Sequence, residues 1–200
     1  MAITIRKISC PEPPVGATLM KTGQTTSYRT GDDGDIEAGR DVDFFTLSAN
    51  NPFGNTNRFT DELGGQTYTN NIVIDWSTYN GFEVLGYYRV IAGNNIWDFA
   101  IDTCLALNIG GFTGWKNANV YEIMNVQNFQ VATHRFNYAP FNTTITTSHS
   151  LWASTTVAAS TGNAIYFITS TGQMGTLNKT VAAAKYFAVR TFTVNGTTLT

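Results

Sequence analysis

The sequence predicts an α+β domain in which short antiparallel strands and long loops outweigh two helices. Polarity comes from about thirty threonines, about twenty asparagines and 18 glycines, while charged residues make up only 13% of the chain, about half the usual share. Threonine suits pleated, half-buried strand positions, and Asn and Gly tolerate the positive φ of tight turns. Apolar residues alternate in strand fashion on either side of one central stretch, residues 95–129, where they fall at helical spacing instead. With 200 residues, 42% of them hydrophobic, the chain has material for one ordinary core and an arm, and too little for a second full domain.

Residues 1–22 read as an extended anchoring arm. Ile3 and Ile5 alternate with Thr4 and Arg6, and "CPEPPVG" then supplies three prolines that a central strand would not tolerate. Residues 23–200 form the domain. "VDFFTL", residues 42–47, reads as a short strand between irregular loops. Phe59 and the run Ile72–Trp76 supply a hairpin around a Gly64-Gly65 turn, and "GFEVLGYYRVIAG" gives a further strand ending at Gly93. Asn95 caps a helix with Asp98 at its third position, and Trp97, Ile101, Cys104 and Leu105 share one face. Asn119 with Glu122 forms a capping box for a second helix, whose Ile123, Val126 and Phe129 face inward. Trp97, Ile101, Ile123 and Val126 are expected where the helices meet the sheet. "SLWASTT", "NAIYFIT", "MGTLNKT" and "KYFAVRTFTV" then read as a four-stranded meander with Gly162, Gly172 and Gly175 in its turns.

Twelve basic residues scatter against 14 acidic ones, the net charge is −2, and no Lys/Arg cluster exists. The long-range attraction that nucleic acid or an anionic membrane requires is missing. There is no apolar run long enough to span a bilayer, and "MAITIRKISC" lacks the layout of an export signal. The expectation is synthesis in a cytoplasm without membrane insertion. Cys10 and Cys104 are too few for a four-ligand metal site and read as idle thiols, with a disulfide between them the other reading.

Catalytic chemistry has little support. His134 and His149 sit in no motif with a nucleophile, no G-x-S-x-G elbow occurs, and the acidic pairs Asp61/Glu62 and Asp41/Asp43 lie in polar loop text without aromatic walls to raise a pKa. No catalytic residue and no cofactor is assigned. "TGQTTSYRTGDDGD", residues 22–35, lacks the closing Glu of an EF-hand and the lysine of a P-loop. It reads as a structural loop in which Tyr28 tucks inward and Thr25, Thr26 and the aspartates satisfy backbone donors at the Gly31 and Gly34 turns. Calcium at Asp32, Asp33 and Asp35 is the alternative, because three crowded carboxylates repel one another unless something compensates. Tyr79, Phe82, Tyr87, Tyr88, Trp115, Tyr121, Tyr138 and Trp152 are spread among Asn, Thr and Gly, the setting in which an aromatic face and polar donors meet a sugar ring. The ligand-binding set drawn from them is Tyr79, Tyr87, Tyr88, Trp115, Tyr138 and Trp152.

"KTGQTTSYRTGDDGD", "NRFTDELGGQTY" through "VIDW", "WDFAIDTCLALNIGGFTGWKNANVYEIMNV", "PFN", "LWASTT" and "YFAVRTF" together resemble the C-terminal domain family of the Legionella collagen-like adhesin, over residues 21–192. The resemblance implies a fold similar to C-type lectins and formylglycine-generating enzymes, and a trimer that binds sulfated glycans in the adhesin itself. Asn117 and Ala118 stand where the family has Leu-Pro. Thr191 replaces a cysteine found in many members, which implies that Cys104 is a free core thiol. The lectin calcium motifs and the reactive cysteine pair of the enzymes are absent, and so is the basic surface that sulfated ligands need.

A virion protein unites an arm, a Thr/Asn/Gly surface and the missing export signal. The sequence therefore leads to a non-enzymatic bacteriophage virion protein: a decoration, head-fibre or tail-associated chain bound to other virion proteins through residues 1–22, homo-oligomeric, a trimer by resemblance, and presenting a lectin-like surface to glycans. The competing expectation is an adhesin domain on a bacterial cell surface.

Overall fold

The computed structural model describes residues 27–31, 44–129, 131 and 134–200. Arm residues 1–22, Cys10 and the three aspartates Asp32, Asp33 and Asp35 lie outside that set.

The architecture is α+β, and it is built around an antiparallel sheet. Strands β1 (Phe59–Thr60), β2 (Ile72–Asp75), β3 (Glu83–Tyr88), β4 (Lys116–Asn117) and β8 (Ala188–Asn195) form it in the order β1-β2-β3-β8-β4, with β9 (Thr198–Leu199) paired to β8. A second antiparallel sheet joins β5 (Ser150–Val157), β6 (Ser160–Ile168) and β7 (Met174–Asn178). Helices α1 (Trp97–Leu105) and α2 (Val120–Asn125) are inserted between β3 and β5.

Strand β2 is buried on both faces, which explains why Ile72-Val73-Ile74 is an unbroken apolar run rather than an alternating one, whereas Glu83, Thr191 and Thr193 farther along β3 and β8 are exposed. Val73, Tyr87 and Val189 point into one core with Ile123, Val126, Phe136, Phe141 and Phe187, beneath α2. Ile72, Ile74, Val84 and Phe192 point into the other, with Ala100 and Cys104 of α1, Trp115 and Trp152. Each helix thus covers its own face. Gly86, central in β3, leaves the room that the Phe192 ring occupies, since a Cβ there would lie 2.3 Å from Phe192 Cε2.

The expected hairpin is β1 paired with β2, Phe59 opposite Asp75 and Thr60 opposite Ile74. The tight turn at Gly64 occupies one end of its long connection: Asp61 N donates to Gly65 O at 2.7 Å, and Gly64 adopts φ 81°. The capping box of α2 is present in full, with Asn119 accepting from Tyr121 N and Glu122 N while Glu122 accepts from Asn119 N.

Several expectations are corrected. Asn95 does not cap α1: its backbone N–H donates to Ala184 O at 2.9 Å, and the cap position falls to Ile96, which makes no side-chain bond. Leu105 (61% exposed) and Phe129 (47%) face outward. Trp97 and Ile101 are half-buried, whereas Ile123 and Val126 are fully buried. Within the expected strand at 42–47, the described part is a turn at Phe44-Phe45 and one bridge, Thr46 to Asn57. Gly162 and Gly175 lie inside β6 and β7, so only Gly172 serves a turn. The four closing segments do not form one meander. After β7 the chain runs beside β5, where Trp152 N donates to Lys185 O and Lys185 N to Ser150 O, and then crosses as β8 to a central place in the main sheet. Tyr28 is 84% exposed, so it is not an inward anchor.

Candidate functional site

Most of the aromatic side chains that the sequence nominates for ligand contact are structural. Tyr87 is fully buried, stacked on Phe187 with centroids 5.5 Å apart, and its hydroxyl donates to Glu122 O at 3.1 Å. Burial pushes its phenol well above the ordinary value. Trp115 and Trp152 are also fully buried, their indole N–H groups donating to Phe112 O at 2.9 Å and Asn95 O at 2.8 Å. Tyr138 is 5% exposed, donates to Val126 O, and is likewise raised by desolvation. These four have no free face, and their polar tips are already engaged, so they are core residues and the ligand set is corrected accordingly. Tyr88 is half-buried at the end of β3, its ring 6.3 Å from that of Trp115. Tyr79 keeps 36% of its surface exposed.

Tyr79 belongs to the turn between β2 and β3, which displays an exposed aromatic, Phe82. Asp75 ends β2 and caps a short 3-10 helix, Trp76–Thr78, by accepting from Ser77 N at 3.0 Å. Thr78 Oγ1 donates to Asp75 O and accepts from Leu85 N, tying the helix across to β3. Asn80 then organises the reversal: its side-chain carbonyl accepts from Phe82 N at 3.0 Å and Glu83 N at 2.8 Å, and its own N–H donates to Glu83 O. Gly81 takes φ 100°, where a side chain would be strained, and its carbonyl accepts from the Tyr79 hydroxyl at 2.9 Å. Val194 N donates to Phe82 O. The backbone of the turn is therefore pinned, while the Phe82 ring stands 76% exposed. In the same turn, Tyr79 packs edge-on against Trp76, and Trp76 against Phe53, each with centroids 5.7 Å apart. Phe53 in turn lies against Gly64, beside Leu63, which is 80% exposed.

The titratable residues organise the fold rather than this turn. Arg58, 1% exposed, forms a bidentate pair with Asp75, Nε to Oδ1 at 2.8 Å and Nη2 to Oδ2 at 2.7 Å, and also donates to Asn125 O and Phe44 O. Its guanidinium lies 4.4 Å from the ring centroids of both Phe44 and Phe59. Burial disfavours its charge, yet the Asp75 carboxylate outweighs this and holds Arg58 above its ordinary value. This network was missed in the sequence, although an aspartate inside "IVIDW" was a signal for it, since a buried carboxylate demands a partner. Asp61 and Glu62 are buried rather than in open loop: Asp61 accepts from Leu63 N, Gly65 N, Thr67 N and Tyr68 N, and Glu62 from the Asn70 amide. Cys104 is buried and unpaired by disulfide, its thiol pushed up to about 12 by desolvation. His134 is buried, and His149 is lowered by burial, Lys185 and His134. Among the described residues no group of three or more His, Cys, Asp and Glu could hold a metal ion, and no helix is long and apolar enough to cross a membrane.

The arrangement at Tyr79–Glu83 offers one exposed ring, Phe82, carried on a backbone that hydrogen bonds hold in place. In comparisons with known proteins, no family model matches the chain and no curated protein matches it.

Proposed function

We propose that this chain is a non-enzymatic bacteriophage virion protein whose C-type-lectin-like domain presents a surface to neutral glycans, while its N-terminal arm attaches it to the particle. The observation that carries the binding reading is the turn whose backbone is held by Asn80 and Val194 while the Phe82 ring is 76% exposed. A sugar ring presents a C–H face to an aromatic ring, and a turn whose backbone is already held loses little backbone entropy on contact. The weak negative charge and the threonine- and asparagine-rich composition favour neutral over sulfated ligands.

A panel of neutral oligosaccharides titrated against the purified protein tests the reading, with chemical-shift changes expected at Phe82, Tyr79 and their neighbours. Phe82→Ala should weaken binding about tenfold or more while leaving thermal stability unchanged, because the ring is exposed. Binding that ignores Phe82→Ala and Tyr79→Ala, or none across the panel, refutes the turn as a glycan contact. Antibody labelling of purified particles decides the virion placement separately.

A further inference from the structure

Among the described residues the edge strand β7 is left open, and the phase of its ladder says which groups are on offer. Thr176 pairs with Ile165 and Leu177 with Ala164. Lys179 N donates to Gly162 O and Ile168 N to Gln173 O, both at 2.9 Å, which places the closely bonded pairs at 173, 175, 177 and 179. Gly175 and Leu177 therefore direct their backbone groups to β6, and Met174, Thr176 and Asn178 direct theirs away. The Asn178 carbonyl accepts from Val181 N. The N–H and C=O of Met174 and Thr176 and the N–H of Asn178 have no partner among the described residues.

Three other edges have neighbours. Beside β1, Arg58 N donates to Phe45 O and Thr46 bridges to Asn57; after β4, Ala118 O accepts from Ser154 N; along β5 runs Lys185. By contrast, β7 has no charge, no proline and no register shift between 174 and 178, and its Met174 is 54% exposed. These are the devices by which sheets normally discourage strand addition.

We propose that the β7 edge receives residues 2–6 of a second copy of this chain as an added strand. The proposal rests on the reading of the N-terminal segment as an attachment arm, and it names the acceptor. "AITIR" carries no proline and alternates Ile3 and Ile5 with Thr4. With Thr4 opposite Thr176, both outward groups of Thr176 are satisfied, and Ile3 and Ile5 fall beside Gly175 and Leu177. Their apolar side chains meet half-buried Leu177 and the Tyr166 ring, which fills the space a Gly175 side chain would take, 2.7 Å from its Cβ position. The 26 residues before Ser27 reach up to roughly 85 Å when extended, enough to cross to a neighbour, and Ser27–Gly31 run exposed on the surface. Repeated arm exchange among identical copies gives a ring where the rotation between copies closes and an open filament where it does not.

The test uses the full chain, with sedimentation mass and site-resolved amide exchange as readouts. The expected result is an oligomer in which the Met174, Thr176 and Asn178 amides are protected. Deleting residues 1–22, or Ile3→Asp with Ile5→Asp, should give a folded monomer in which those amides exchange on the order of a hundredfold faster. Thr176→Pro should also give a monomer, because the N–H it removes points away from β6 and an outer edge position tolerates proline. An oligomer that survives the deletion but not Thr176→Pro means that two β7 edges pair with each other, and overturns the proposal. A monomeric full chain overturns it too: protected β7 amides would mean the arm closes on its own domain, and fast exchange there would mean that no strand is added. None of these outcomes alters glycan binding at Phe82, which has its own readout.

Discussion

Replacing Arg58 by methionine isolates the energetics of the buried ion pair that Arg58 forms with Asp75 at the end of β2. The substitution keeps the aliphatic stem between Phe44 and Phe59 but removes both bonds to Asp75 and those to Asn125 O and Phe44 O. Among the described residues, fully buried Asp75 is left with only Ser77 N and the Asn125 amide as donors. An uncompensated buried charge of this kind costs about 3–5 kcal/mol, and the two orphaned carbonyls push the value toward the upper end. Asp75→Leu should cost a similar amount by stranding the guanidinium. The double variant should cost less than either, about 1–2 kcal/mol, because no charge remains and the residual loss is the cap on Trp76–Thr78 and the Asn125 contact. Urea denaturation of all four proteins closes the cycle, and at 1 M salt the coupling should persist because solvent does not reach the pair. Single-variant costs below about 1 kcal/mol that simply add in the double variant would refute the argument.

Two other perturbations read different parts of the core. Gly86→Ala places a Cβ 2.3 Å from Phe192 Cε2 and 3.0 Å from Ile74 Cδ1, and it should destabilise by about 1–3 kcal/mol as an overpacked site; an unchanged melting temperature would show that the Phe192 ring can move aside. Cys104, Tyr68, Tyr87 and Tyr138 all have folded values raised by burial. The stability they contribute is thus complete below the unfolded values, about 9 for the thiol and about 10 for the phenols, and is lost as pH rises further. Denaturant midpoints should fall above about pH 9, and in a Cys10→Ser background Cys104 should resist thiol reagents at about pH 8 until the protein unfolds; rapid native labelling would contradict its burial.

Local chemistry was legible in the sequence and non-local choices were not. The α2 capping box lies within four residues, so Asn119 and Glu122 announced it. The α1 cap failed because Asn95 pairs with Ala184, 89 positions later in the chain, and nothing near Asn95 records that competition. The regular spacing of the last four segments suggested one meander because spacing does not say which sheet a strand joins. What sends β8 across is its composition: Ala188, Val189 and Phe192 are buried toward two different cores, which suits a central strand and would be wasted on an edge such as β7.

The same reasoning explains where the aromatic residues went. Where β3 is covered on both faces, Tyr87 and Tyr88, on adjacent positions, turn toward different cores, and alternation gives neither one to solvent. The interior also accepts Tyr and Trp here because each buried phenol or indole of the nominated set finds a backbone carbonyl. An aromatic escapes burial in this fold by leaving the sheet, and "YNGF" at 79–82 holds the signal for that: an Asn-Gly pair is the strongest short turn mark, and the residue after it has no strand face to occupy. Phe82 is exposed because the turn ends under it, with Asn80 closing the backbone below and Val194 holding its carbonyl. Position relative to the turn, rather than the company of Asn, Thr and Gly, therefore separates a ring available to a ligand from a ring committed to the core.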